Sequence, residues 1–271
     1  MTVMGNRIAT YLPFLKRPPT VAVVRLQGVI ASGQRGLDDL GIGAVIERAM
    51  TRGKPIALAL EINSPGGSPV QSSLIAARIR RLAEEKKIPV LAFVEDVAAS
   101  GGYWLACAAD EIHVDRGSIL GSIGVISAGF GLPSVLDKLG VERRVHTAGR
   151  SKSMLDPFRP ENPEDVARLQ GWLAELHAFF IDHVQTRRAG KLAEGADLFT
   201  GEVWIGQKAV DVGLADGVGH LVPVLKARFG DKVRLRRHGQ RRSMLARFGL
   251  RLAHDAFGAV EERVAFARFG L

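Results

Sequence analysis

Between residues 20 and 114, short apolar runs alternate with stretches of helical spacing, and this alternation most limits what the chain can fold into. The runs cover residues 20–26, 56–62, 89–94 and 111–114. Residues 37–52 bring Leu40, Val45, Ile46 and Ala49 to helical spacing, and Gly53-Lys54-Pro55 then ends the helix. Residues 70–87 put Leu74, Ile75, Ile79 and Leu82 on one face, and a further helix opens after Ala98-Ala99-Ser100-Gly101-Gly102. Strand-length runs separated by helices give βαβ units and a mostly parallel α/β sheet. The pattern continues with a glycine-rich strand over 117–127, a helix over 133–139, a strand over 141–147 and a polar loop over 149–163. A long amphipathic helix follows over 164–188, then a short strand and helix within 199–219 and a last core helix over 221–229.

Two loops share one layout: an apolar strand, a Gly-Gly pair, then a helix. They are Ser64-Pro65-Gly66-Gly67 and Ala99-Ser100-Gly101-Gly102. Ligands of open α/β sheets bind at the carboxyl ends of strands, where helix N-termini present free N–H groups. Side by side, two such loops can form an oxyanion hole. Gly-Gly also serves any tight strand-to-helix turn, so the pattern by itself leaves both readings open.

Ser100 is the hydroxyl at the head of the second helix, with small neighbours that leave room for a carbonyl; an N-cap is the alternative use. A nucleophilic serine needs a base. None of the seven histidines lies in a glycine-rich or polar loop that looks like a site; His177 and His183 fall on the long helix, and His113 and His146 in strand-like runs. The other choice is a lysine kept neutral by burial, and Lys152 lies in the loop Gly149-Arg150-Ser151-Lys152-Ser153.

The Ser-Pro-Gly-Gly turn, the Ala-Ala-Ser-Gly-Gly-Tyr-Trp helix start, Gly-Ser-Ile-Gly-Val at 121–125 and Gly-Arg-Ser-Lys-Ser occur in that order. Phe199-Thr200-Gly201-Glu202 and Gly213-Leu214-Ala215-Asp216 follow. The ordered set resembles the signal peptide peptidase A family of serine peptidases, over residues 20 to 229. That resemblance implies a Clp protease/crotonase-like βαβ superhelix, with Ser100 as nucleophile and Lys152 as general base. It implies Ser122 as the hydroxyl that orients the lysine. Oxyanion donors would come from Gly101 and from the first loop, at Gly67 or Gly66. An extended peptide would bind along Ser68, Gly121, Ile123, Gly124 and Val125. No cofactor or metal is implied; the implied assembly is a ring-like tetramer or octamer. A crotonase-like acyl-CoA enzyme working through Glu95 or Asp96, and a catalytically silent membrane scaffold, are the rival readings.

Charge is unevenly placed. The chain of 271 residues carries a net +9. Twelve Lys/Arg and four acids between 226 and 271 put +8 of it in that stretch. The body is therefore nearly neutral, which removes the main reason to expect nucleic-acid binding. The single cysteine, Cys107, excludes an intramolecular disulfide framework. The expected organisation is an N-terminal arm over 1–19, a peptidase domain over 20–230 and a basic amphipathic tail over 231–271. Met244, Phe248, Leu252, Ala256, Val260 and Val264 in that tail recur every four residues among arginines, a pattern suited to an anionic membrane surface or to a neighbouring subunit. Residues 1–19 lack the order of a signal peptide, and no run is long enough for a spanning helix. The expected location is cytoplasmic, with peripheral contact at the inner membrane as the open addition.

Overall fold

The computed structural model describes residues 18–33, 36–239 and 263–271. Four parallel strands form the centre: β1 (Thr20–Gln27), β2 (Ala57–Ser64), β3 (Val90–Ala99) and β4 (Glu111–Val114). Three helices intervene: α1 (Asp39–Thr51), α2 (Pro69–Lys86) and α3 (Gly101–Ala106). The long strand β3 forks. Its first half pairs with β4 and its last residues, Val97–Ala99, pair with β5 (Ile119–Gly121). β5 is flanked on its other edge by the antiparallel β6 (Val203–Ile205), and β4 pairs with β7 (Gly217–Val218).

Period-two alternation assigns the two faces of the sheet. Val24, Leu26, Leu60, Ile62, Ala92 and Val94 face α1, α2 and α3, in one core with Ile46, Ile75, Ile79 and Leu105. Val21, Val23, Ala57, Ala59, Leu91 and Phe93 face the other way, onto Leu221 and Leu225 of a later helix, named α7 below. Each fully buried Ile or Leu contributes about 1.5–3 kcal/mol relative to an exposed position. Local signals set the helix ends. Asp38 caps α1 by accepting from the Gly41 amide (2.7 Å). Ser68 caps α2, Pro69 starts it, and Lys87 closes it in a left-handed turn.

Beyond β5 the chain carries α4 (Pro133–Leu139), α5 (Pro163–Arg187), α6 (Gln207–Asp211) and α7 (Leu221–Phe229). Among the described residues, 141–147 form no strand; they are almost wholly exposed and join no sheet ladder. The glycine-rich strand expected over 117–127 is confined to Ile119–Gly121. Ser122 turns at φ 50° and the Gly124 amide donates back to the Ser122 carbonyl (2.9 Å), which ends it. The boundary expected at 231 does not coincide with the end of the sheet. Arg234–His238 forms β8, parallel to β1 with Val23 opposite Arg237. The amphipathic pattern of the tail falls mainly on residues 240–262, outside the described residues, as do residues 1–17 of the arm.

Candidate active site

The ends of β2 and β3 meet. Ser100 stands between β3 and α3 at φ 50°, ψ −123°, a conformation that costs a non-glycine residue about 1–3 kcal/mol. Two hydrogen bonds hold it there: its amide donates to the Gly121 carbonyl (2.8 Å) and its carbonyl accepts from the Trp104 amide (3.0 Å), while the preceding Ala98 and Ala99 are fully buried. The hydroxyl has no hydrogen-bond partner among the described residues. A strained, half-buried serine with an uncommitted hydroxyl at a helix start is not explained by capping.

The first Gly-Gly loop lies against it. A Cβ on Gly66 would come within 2.8 Å of Ser100 Cβ, the Ala99 carbonyl and the Gly101 amide, and Gly66 has φ 101°. A Cβ on Gly101 would meet Ser72 Oγ at 2.4 Å and the Gly67 nitrogen at 3.4 Å. The two loops thus approach through glycines that admit no side chain. The amides separate by use. Gly66 N–H donates to Ser64 Oγ (3.3 Å). Gly67 sits in an isolated parallel bridge to Ile30 whose bonds run to its neighbours: Ile30 N–H to the Gly66 carbonyl (2.8 Å) and Ser68 N–H to the Ile30 carbonyl (2.7 Å). Among the described residues that pattern leaves the Gly67 amide without a partner, and the first-turn Gly101 amide has none for the usual helical reason. Of the two alternatives in the first loop, Gly67 is the one with a spare donor.

The other expected residues are placed as follows. Ser68 caps α2 through its hydroxyl, which accepts from Gln71 (3.4 Å). Gly121 supplies the carbonyl that fixes Ser100. It lies within a strand already paired on both edges, so no further strand can add there. Ser122 donates its amide to Glu202 (2.7 Å) and keeps its hydroxyl unpaired among the described residues. Ile123 points into the core, fully buried, and its carbonyl contacts His177 Nε2 (3.1 Å). Gly124 and Val125 continue the irregular chain, half-buried.

Among the described residues, Lys152 is not brought to Ser100 by any bond. Its side chain is exposed and has no hydrogen-bond or ion-pair partner among the described residues. The loop around it is ordered by other contacts. Asp156 accepts from Arg143 and from the Phe158 amide (3.0 Å), and Ser151 Oγ accepts from Arg168 of α5 (3.0 Å). This region projects from the body with Ile126, Phe130, Leu139 and Val141 exposed. Its broad open cleft of about 1170 Å³, between residues 127–131 and 150–169, includes neither Ser100 nor the Gly-Gly loops.

Two rival carboxylates are otherwise engaged. Glu95 pairs with Arg25 (2.6 Å) and Asp96 accepts from Asn63 Nδ2 (2.6 Å). Three side chains that the sequence did not mark as part of the site anchor it. His177, on α5, touches the segment after Ser122, and His183 stacks on Trp104 of α3 (4.4 Å between centroids), where burial lowers its pKa. Arg188, 2% exposed, donates to the Gly213 carbonyl (2.7 Å) and to Asp216 (2.7 Å). It thereby ties the Gly-Leu-Ala-Asp turn to the end of α5. These contacts span 25 to 79 residues, and nothing local in the sequence marks them.

A model described as Peptidase family S49 matches residues 82–229. A Brucella melitensis protein named Na(+)/H(+) antiporter NhaA is 45% identical over 93% of this chain, which spans 37% of that protein. Among the described residues no helix is long and apolar enough to cross a membrane. The chloroplastic serine protease SPPA of Arabidopsis thaliana is 31% identical over 74% of the chain, which spans 31% of it. Protein slr0021 of Synechocystis is 33% identical over 73% of this chain and 69% of its own length. Among solved structures, the membrane-bound stomatin-specific protease 1510-N, in complex with a substrate peptide, superposes with TM-score 0.54 at 18% identity over 85% of this chain and 95% of that one. With its mostly parallel sheet and these likenesses, the chain has a Clp protease/crotonase-like fold and belongs to peptidase family S49, the family of the signal peptide peptidase A serine peptidases.

Proposed function

We propose that the chain is a serine endopeptidase that cleaves extended peptides, remnants of signal peptides among them, through Ser100 and Lys152. The observation that carries this reading is the strained Ser100 beside two free amides, those of Gly67 and Gly101. Neutral Lys152 takes the Ser100 proton, and Oγ attacks the scissile carbonyl. The oxyanion accepts from Gly67 and Gly101. The lysine ammonium then protonates the leaving amine, and water hydrolyses the acyl-enzyme by the same route. Ser122 Oγ accepts from the lysine amine and orients it. The peptide runs along the chain after Ser122 and past the Gly67–Ser68 turn.

Lys152 is exposed within one copy, and the exposed apolar residues of the same projection suit a second copy of this chain that would enclose it. The proposed assembly is a ring in which Lys152 of one copy serves Ser100 of the next. Peripheral attachment to an anionic membrane through the basic residues 231–271 belongs to the same reading. Peptide turnover by Ser100→Ala and Lys152→Ala proteins tests it. Each is expected to be inactive, and wild-type turnover in either removes the dyad. Mixed after dissociation and reassembly, the two variants are expected to regain part of the activity if the dyad is shared; no recovery places both residues in one chain.

A further inference from the structure

At the sheet edge remote from Ser100, cations from two elements converge. Arg48 lies in the last turn of α1 and Arg52 is its C-cap, while β8 supplies Arg236, Arg237 and His238. With Gly239 they line a pocket of about 180 Å³. Arg236 lies directly over the helix end, since a Cβ on Gly53 would meet its Nη1 at 2.8 Å.

Most arginines of the body are committed to carboxylates, as Arg25, Arg78, Arg80, Arg188 and Arg228 illustrate. In the pocket only Arg237 is, through Glu61. Arg48, Arg52 and Arg236 have no partner among the described residues. Glu47, next to Arg48 in the chain, is taken by Arg78 (2.5 Å). His238 adds a buried Nε2 with no hydrogen-bond partner. Burial first, then Arg236, Arg48 and Arg52, hold its pKa below the usual histidine range. The helix C-terminus favours Arg48 and Arg52 on its own account. It gives no reason for a third guanidinium and an unsatisfied imidazole on the adjacent strand.

We propose that this pocket binds a phosphate group, free or as a phospholipid headgroup. The guanidinium forks of Arg48, Arg52 and Arg236 take its oxygens, and His238 Nε2–H is a fourth donor. Planar guanidinium groups match phosphate oxygens in geometry as well as charge. This site is independent of the peptidase reading, because it touches neither Ser100 nor the Gly-Gly loops.

The test compares the 271-residue chain with its Arg52→Gln/Arg236→Gln variant, both side chains being exposed and outside the core. Far-UV circular dichroism checks that the fold is unchanged. In one arm, inorganic phosphate is titrated at constant ionic strength against chloride and Tm is followed. In the other, the protein is sedimented with vesicles of phosphatidylglycerol and phosphatidylcholine, or of phosphatidylcholine alone. The variant is expected to need more than tenfold more phosphate for the same Tm shift, or to lose more than tenfold in binding to the anionic vesicles, since each lost charge-assisted hydrogen bond is by itself worth about tenfold or more. An effect in the phosphate arm alone identifies a soluble ligand, and one in the vesicle arm identifies the headgroup. Equal responses of wild type and variant in both arms overturn the site.

Discussion

Replacing Gly101 by alanine tests how the two Gly-Gly loops are held together. The added Cβ would sit 2.4 Å from Ser72 Oγ. Ordinary contact needs about 1 Å more. Ser72 cannot easily retreat: it is fully buried and its hydroxyl donates to the Ser68 carbonyl (2.9 Å), which anchors the first turn of α2. Either that bond breaks or α3 moves away from α2. Overpacking of this kind costs about 1–3 kcal/mol, equivalent to roughly 2–4 °C in Tm per kcal/mol for a domain of this size. The same shift moves the Gly101 amide relative to Gly67. Loss of one oxyanion donor lowers kcat by about 10²–10³-fold. Ser72→Ala alone is expected to cost about 1 kcal/mol. In the double variant the 2.4 Å contact is gone, and the next ones are Ile30 Cδ1 at 3.2 Å and the Gly67 nitrogen at 3.4 Å. At least half of the lost Tm should return, with kcat at least tenfold above that of Gly101→Ala. Thermal unfolding and peptide turnover on the four proteins give the cycle. Strict additivity in Tm, or full turnover in Gly101→Ala, would refute the close approach.

Two further outcomes follow from the backbone and from the buried charge. Ser100→Gly relieves the positive φ and removes a hydroxyl that has no partner, so Tm should rise by about 2–4 °C, roughly 1 kcal/mol, while turnover vanishes. Ser100→Ala keeps the strain and should leave Tm unchanged; a less stable Ser100→Gly would contradict the strain. Asp216→Asn strands the buried Arg188 and should cost about 3–5 kcal/mol at neutral pH. Burial alone would raise the Asp216 pKa, but hydrogen bonds from Arg188, Lys191 and the Ile112 amide outweigh it and hold the carboxyl below its ordinary value. A depressed carboxylate stabilises above its unfolded pKa of about 3.9 and loses that contribution as pH falls through the folded value. The Tm gap between wild type and Asp216→Asn should therefore be full above about pH 5 and narrow below about pH 4. A pH-independent gap would contradict this.

The central strands were legible because buried parallel strands read as apolar runs: all eight residues of β2 are buried. The Gly-Gly loops were legible for a related reason, since close backbone approach leaves only glycine. β8 was not. Arg-Leu-Arg-Arg-His offers one aliphatic side chain, and its membership in the sheet comes from backbone pairing with β1, which side-chain patterning does not record. Residues 141–147 misled in the opposite direction: their two valines suggested a strand, but among the described residues no neighbouring strand pairs with them. His177 and Arg188 act over contacts far apart in the chain. Lys152 drew notice from its polar loop, and its role as base came from the family resemblance; among the described residues its side chain has no partner.

The central claim is that Ser100 is an activated nucleophile. Incubation of the 271-residue chain with a fluorophosphonate, followed by mass spectrometry of its peptides, tests this most directly. The expected result is one adduct, on Ser100, absent in Ser100→Ala and much slower in Lys152→Ala. No adduct on the assembled wild-type protein, or an adduct that persists in Ser100→Ala, would contradict it.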